Sequence, residues 1–175
     1  TSAALLRVLF FKHLKINVDF ESGDITKILN QGVRPDAFLA IGDEALLLRN
    51  HPEYPFSWDL GQAWLKWTGL PFIFGVWVVQ KKAVHIDRDL MAEAVFKLIE
   101  AKNWGKMHLD FFAKLVAEQG VLDEYSMQSY FKGLVYDLTE KEKQGLQCFF
   151  NCLASLKEID KVPELNFFPH KSFSD

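Results

Sequence analysis

Three short stretches hold the groups with which this chain could do chemistry: Thr1-Ser2, Ile41-Gly42-Asp43, and the pair Asp59 and Thr68. Thr1 and Ser2 stand directly before the apolar run Ala3-Ala4-Leu5-Leu6-Arg7-Val8-Leu9-Phe10-Phe11, where a hydroxyl side chain caps a buried helix. Amides at such a helix start point their donors outward, and the helix dipole adds about half a positive charge, which together suit an anion. Capping alone would also account for both residues. Gly42-Asp43 closes the apolar run Ala37-Phe38-Leu39-Ala40-Ile41, and the carboxyl edge of a parallel sheet is where open α/β folds hold ligands. Asp43 either meets a ligand hydroxyl there or caps the helix that begins at Glu44. Gly42 would let a ligand come close to the backbone. Asp59 and Thr68 flank a helix, with duties of capping and of bonding to the Gly69-Leu70-Pro71 turn; for Thr68 a cleft-facing role is the alternative.

Other chemistries find less support. His13 and His108 fall within expected helices, His51 and His170 adjoin prolines, and His85 lies in a linker, so no pair has ligand or relay spacing. Cys148 and Cys152 are four apart on an expected helix, a separation that shares a face without favouring a bridge. They read as two buried thiols, and no metal site is expected. A net charge of -3 gives no broad positive field for a phosphate backbone, so nucleic acid is an improbable partner. The longest apolar run, residues 70–79, is half of what a membrane span needs, and no membrane partner is expected.

The elements that must position these residues alternate at first. Ile16-Asn17-Val18-Asp19-Phe20 has the period of a half-buried strand, and Ser22-Gly23-Asp24 turns into a short helix ending near Gly32. The runs 37–41 and 71–79 suit strands covered on both faces. Phe56-Ser57-Trp58 reads as a short strand. Asp59 caps a helix over 61–67 that carries Ala63, Trp64 and Trp67 on one face, with Gly69 beyond its end. Trp64, Trp67 and Trp77 are expected in the core. After Lys81-Lys82 the pattern becomes helical, with a hairpin of helices over 87–101 and 104–118. Leu134-Val135-Tyr136-Asp137-Leu138 reads as a strand, and Thr139 with Glu142 forms a capping box for a helix to about Lys157. The Pro- and Phe-bearing end from Lys161 is expected either docked or loose.

One block, Tyr54-Pro55-Phe56-Ser57-Trp58-Asp59-Leu60-Gly61-Gln62-Ala63-Trp64-Leu65-Lys66-Trp67-Thr68-Gly69-Leu70-Pro71-Phe72-Ile73-Phe74-Gly75-Val76-Trp77, carries a resemblance, together with Ile41-Gly42-Asp43-Glu44-Ala45-Leu46 and Thr1-Ser2-Ala3-Ala4-Leu5-Leu6-Arg7. Tyr130-Phe131-Lys132-Gly133-Leu134-Val135-Tyr136-Asp137-Leu138 and Gly145-Leu146 extend it weakly over residues 125–155. The sequence resembles the chorismate dehydratase family of the futalosine route to menaquinone. That resemblance implies an α/β fold of the periplasmic-binding-protein-like type II, with one α/β lobe and the helical carboxy-terminal part of the other. It divides the chain into a central lobe over 1–75, a crossover strand and returning helices over 76–158, and a tail over 159–175. It also implies that the amino-terminal third of a typical member is missing here, so that this segment of the same protein is a partner.

The activity implied is loss of water from chorismate, a doubly negative small molecule, with no cofactor and no metal, in the cytoplasm. Thr1, Ser2, Ile41, Gly42, Asp43 and Thr68 are the substrate contacts on this reading, and the catalytic residues are left unassigned. An anion-binding receptor of the same fold and the sister enzyme 1,4-dihydroxy-6-naphthoate synthase are the alternatives. The strand Phe72-Ile73-Phe74-Gly75-Val76-Trp77 looks more like the dehydratase version. Because ligand sites of two-lobed folds draw on both lobes, the chain alone is expected to be inactive.

Overall fold

The computed structural model describes residues 1–120 and 122–168. Nine α-helices form among them: α1 (Ser2–Val8), α2 (Ile25–Asn30), α3 (Gly42–Leu47), α4 (Leu60–Thr68), α5 (Lys81–Ile86), α6 (Arg88–Met107), α7 (Leu109–Ala117), α8 (Glu124–Gly133) and α9 (Glu140–Ser155). The described residues divide into two compact units, 1–75 with 138–163, and 76–137 with 164–168. No helix among the described residues is long and apolar enough to cross a membrane.

The first unit is built round Trp64. Asp59 starts α4 by accepting the Gln62 amide at 2.8 Å, and Gly69 ends it in the left-handed region at φ 73°, a conformation that glycine adopts without strain. This fixes a helix whose inner face carries Ala63 and Trp64, the latter 0% exposed. The indole is enclosed edge-to-face by Trp67, Phe72 and Phe149, with centroids 5.6, 5.6 and 5.8 Å away. Leu5, Val8 and Leu9 complete the cluster from the amino-terminal helix, and Phe149 and Leu153 from α9. Burying an indole removes roughly 200 Å² from water, on the order of 5 kcal/mol by area.

Directly after α1 the chain widens into a π-helical segment, Leu9–Leu14, closed by Lys15 in the left-handed region at φ 57°. The wider turn keeps Leu9 inside while Phe10 and Phe11 both reach the Phe20 ring, at 6.2 and 6.1 Å, and His13 stacks on Trp67 at 5.1 Å. The capping box at α9 forms as the sequence predicts, with Thr139 and Glu142 bonded reciprocally. Asp24 likewise caps α2 by accepting the Lys27 amide at 3.0 Å.

In the second unit α6 is one helix of 20 residues, not two separated near residue 102 as the periodicity suggests. The break comes at His108, whose ring nitrogen lies 2.7 Å from the Trp104 carbonyl oxygen and whose ring stacks on Trp104 at 4.1 Å. The closest helix pairing is between α7 and α8. Ala113 and Met127 are their buried residues. Asp123 starts α8 by accepting the Ser126 amide at 3.0 Å.

The expected strands are where structure and sequence differ. Segments 16–20, 37–41, 56–58, 71–79 and 134–138 carry no regular structure, and no strand forms among the described residues. Where one α/β lobe was expected, the first unit is therefore helical with irregular connections. The reason is that a strand exists only with a hydrogen-bonded neighbour, and none of these segments lies in a ladder with another. Several of their apolar side chains face outward as a result, Phe56 at 94%, Val78 at 86% and Trp77 at 66% exposed, although Phe72 packs on Trp64. Trp77 is accordingly not a core residue. The part of the tail beyond residue 168, including His170, lies outside the described residues.

Candidate functional site

Thr1 is the N-cap position of α1, yet its hydroxyl makes no capping bond. The first-turn amides of a helix have no intrahelical acceptor, so those of Ser2, Ala3 and Ala4 point outward without a side-chain partner. Thr1 is exposed and Ser2 half-buried. The Ile41-Gly42-Asp43 corner starts α3 differently from the cap expected of Asp43. Ile41 is the N-cap residue, Gly42 is the first helical residue at φ 59°, and Asp43 lies within the first turn. A positive φ at that point requires glycine or strains the backbone. Ile41 is 61% exposed, and the exposed Asp43 carboxylate has neither a hydrogen bond nor an ion pair among the described residues. Glu44, next in the turn, accepts the Thr26 hydroxyl of α2 at 2.8 Å.

Thr68 is occupied by the turn that follows its helix. Its hydroxyl donates to the Trp64 carbonyl at 2.8 Å and accepts the Leu70 amide at 3.1 Å. The hydroxyl proton is thus committed to the backbone, and what remains is acceptor capacity that a carboxylate cannot use. Asp59 is the α4 cap already described. The amino-terminal helix packs against α4 and α9, whereas α3 is tied to α2 by the Thr26–Glu44 hydrogen bond. Thr1 and Ser2 are therefore grouped with the helix that bears Thr68, while Gly42 and Asp43 belong to the neighbouring α2–α3 corner. Arg34 ties that corner together, with Glu53 at 2.7 Å and the Leu29 carbonyl at 2.8 Å, and Tyr54 donates to the Pro35 carbonyl at 2.7 Å.

The two cysteines are free and half-buried on α9. Burial, and then the neighbouring Cys148, hold the Cys152 thiol above its ordinary range, which makes it a poor nucleophile near neutral pH.

The second unit contains a pocket of about 370 Å³ with an almost wholly apolar surface, lined among others by Trp77, Leu98, Leu109, Phe112 and Tyr136 and by Lys102 and Lys106. These lysines are one helical turn apart on α6 and both grip Asp137, at 2.6 and 3.0 Å. Their hydrogen bonds hold the Asp137 carboxyl below the usual carboxylate range, Lys102 first and Lys106 second. Burial raises the Tyr136 hydroxyl above its usual range, with Tyr130 adding a smaller effect. This pocket is not among the sites expected from the sequence. Its signal was available in Leu98, Lys102, Gly105, Lys106 and Leu109, which recur at three- and four-residue intervals with cations beside apolar groups.

Against known proteins, the family described as menaquinone biosynthesis matches residues 1–155. A relative named chorismate dehydratase, from Thermus thermophilus, is 29% identical over 133 residues, covering 67% of this chain and 47% of the relative. The chain spans about half the length of that curated relative. The family match runs from the first residue through the capped helix α9, across the Ile-Gly-Asp corner and the block centred on Trp64. The chain belongs to the menaquinone biosynthesis family.

Proposed function

We propose that the protein bearing this chain is a chorismate dehydratase, a hydro-lyase that converts chorismate to 3-[(1-carboxyvinyl)oxy]benzoate and water on the futalosine route to menaquinone. The observation that carries this reading is the family match over residues 1–155, joined by the relative named for that activity. In the reaction the ring hydroxyl leaves with its bonding electrons, a ring proton is lost, and the ring becomes aromatic. The protein's task is to hold a dianion while this happens.

On this reading the outward amides of Ser2 to Ala4 take one carboxylate, since donors and helix dipole act together at a helix start. Thr1 adds a hydroxyl donor that is not spent on capping. The Ile41-Gly42-Asp43 corner takes the hydroxyl side of the substrate. Asp43 would be repelled by a carboxylate, so it serves as acceptor from the ring hydroxyl. Gly42 leaves the backbone open to close approach. Thr68 contributes by fixing the turn after α4.

The periplasmic-binding-protein-like architecture belongs to the same proposal. On that reading residues 1–75 are its central lobe and 76–158 the return to the other lobe, while the tail assigned to 159–175 runs beyond the described residues. An amino-terminal segment of the same protein supplies the missing part, including partners for the exposed apolar runs 71–79 and 134–138. The enzyme works in the cytoplasm without a cofactor. The test is to incubate the longer gene product with chorismate and follow the loss of substrate and the growth of an aromatic product spectrum. The 175-residue chain by itself should leave chorismate unchanged, and turnover by that chain would overturn the two-lobe part of the proposal.

A further inference from the structure

The outward face of α7 sets apolar and charged residues in an order that fits a copy of itself. Leu109, Phe112 and Val116 share the other side of this helix with the buried Ala113 and are partly covered, whereas Asp110, Phe111, Lys114, Leu115 and the following Glu118 are exposed. Phe111 and Leu115, at 59% and 48% exposed, are four residues apart and so stand one turn above the other. Asp110 and Lys114, also four apart, form a row of opposite charge along one flank of that apolar pair. Neither of these side chains makes a hydrogen bond or an ion pair among the described residues.

A twofold axis level with Phe112 turns α7 of a second copy end for end against the first. Asp110 then lies opposite Lys114 of the second copy, and Lys114 opposite its Asp110, the self-complementary pattern of an isologous contact. In that register the apolar side chains interleave along the helices as Leu115, Phe111, Phe111, Leu115, the two copies alternating. An axis level with Lys114 would set ammonium against ammonium. One level with Val116 would pair Lys114 with Glu118 but draw the two Phe111 residues about 15 Å apart along the axis. Exposed ion pairs add little affinity, so the apolar residues supply it and the charges fix the register. We propose that this face is a homodimer contact, in which two copies of the chain pair antiparallel through Phe111 and Leu115 with Asp110 and Lys114 exchanged across the axis. The inference does not rest on the dehydratase reading, because it uses only α7 and predicts an association state rather than turnover.

One short helix from each copy buries less than the roughly 1,200–2,000 Å² of a standard interface, so the association is weak and reversible. Sedimentation equilibrium of the full chain should show monomer and dimer in exchange, with a dissociation constant on the order of 10–100 μM. Leu115→Glu should weaken the dimer about tenfold or more, since it places a charge in the apolar centre. Asp110→Lys and Lys114→Asp each put like charges across the axis and should weaken their own dimers. An equimolar mixture of these two variants should associate as tightly as the parent, because each chain then meets opposite charge. The substituted side chains are exposed, and circular dichroism should show every variant folded like the parent. A chain still monomeric at about 1 mM, well above the expected constant, overturns the proposal. So does a mixture no tighter than the separate variants, and so does association that Leu115→Glu leaves intact, as pairing through the run 71–79 would.

Discussion

Replacing Gly145 by alanine should destabilise the first unit, although the same change usually strengthens a helix. A methyl group at Gly145 would overlap the Pro71 carbonyl oxygen, with the Leu70 β-carbon 3.7 Å away. That carbonyl is part of a turn fixed by the Thr68 hydroxyl and Gly69, so backbone rather than a pliable side chain must give way. Overpacking of this kind costs roughly 1–3 kcal/mol, and the helix gains about 1 kcal/mol from alanine over glycine. The balance is a loss of about 1–2 kcal/mol when the clash falls toward the upper end, or roughly 2–8 °C in melting temperature for a chain of this size. Gly105 is the control. A methyl there would sit in ordinary contact, 3.9 Å from the Phe112 ring, so Gly105→Ala should stabilise α6 by about 0.5–1 kcal/mol. Urea titration followed by circular dichroism, with tryptophan fluorescence as a second probe, measures both. A Gly145→Ala chain stabilised as much as the Gly105→Ala control would show that α9 does not lie against the Leu70-Pro71 turn, and the core arrangement round Trp64 would have to be redrawn.

Three further outcomes are expected. Asp59→Ala removes the acceptor of the Gln62 amide and should cost about 1 kcal/mol in the same denaturation assay; no loss would mean that the α4 start is held otherwise. The Asp137 carboxyl is held below its ordinary value of 3.8 by Lys102 and then Lys106, so its stabilising effect is fully present above that value and fades as pH falls through the lower folded-state value. Asp137→Asn should therefore unfold at lower urea than the parent at pH 7, with the gap closing in strong acid, and a gap that stays constant with pH would contradict the ion pairs. Burial raises the Cys152 thiol, so Cys152 should react with a disulfide reagent at pH 8 more slowly in the folded chain than in urea. Mass spectrometry of the modified site reads the rates, and equal rates would refute the protected environment.

Sequence reveals most where the deciding partner is a few residues away. Asp24, Asp59 and the Thr139–Glu142 box satisfy amides within their own first turns, so the starts of α2, α4 and α9 are written locally. The burial of Trp64 follows from the stripe it shares with Ala63. Two helices are less visible. Gln80 gives α5 no side-chain cap, while α8, whose Asp123 cap is local to its first turn, was not among the elements expected. The apolar runs 71–79 and 134–138 have the composition of strands, but composition supplies no ladder, and hydrogen-bonding partners are a non-local property. The same distinction holds for the candidate site. Helix starts at Ser2 and Gly42 can be read from neighbouring residues, whereas their separation into a bundle and a corner depends on packing. Lys102, Lys106 and Asp137 come together across more than thirty residues, which no short window of sequence contains.

The measurement that bears most directly on the proposed function is the fate of chorismate with the proposed longer protein, in which an amino-terminal segment is joined to this chain. Ultraviolet spectroscopy and chromatography should show chorismate replaced by one equivalent of an aromatic enol ether. Substitution of Asp43 by Asn should slow that conversion without unfolding the protein, since this carboxylate has no structural partner among the described residues. Chorismate recovered intact after incubation with the folded, longer protein would contradict the dehydratase reading.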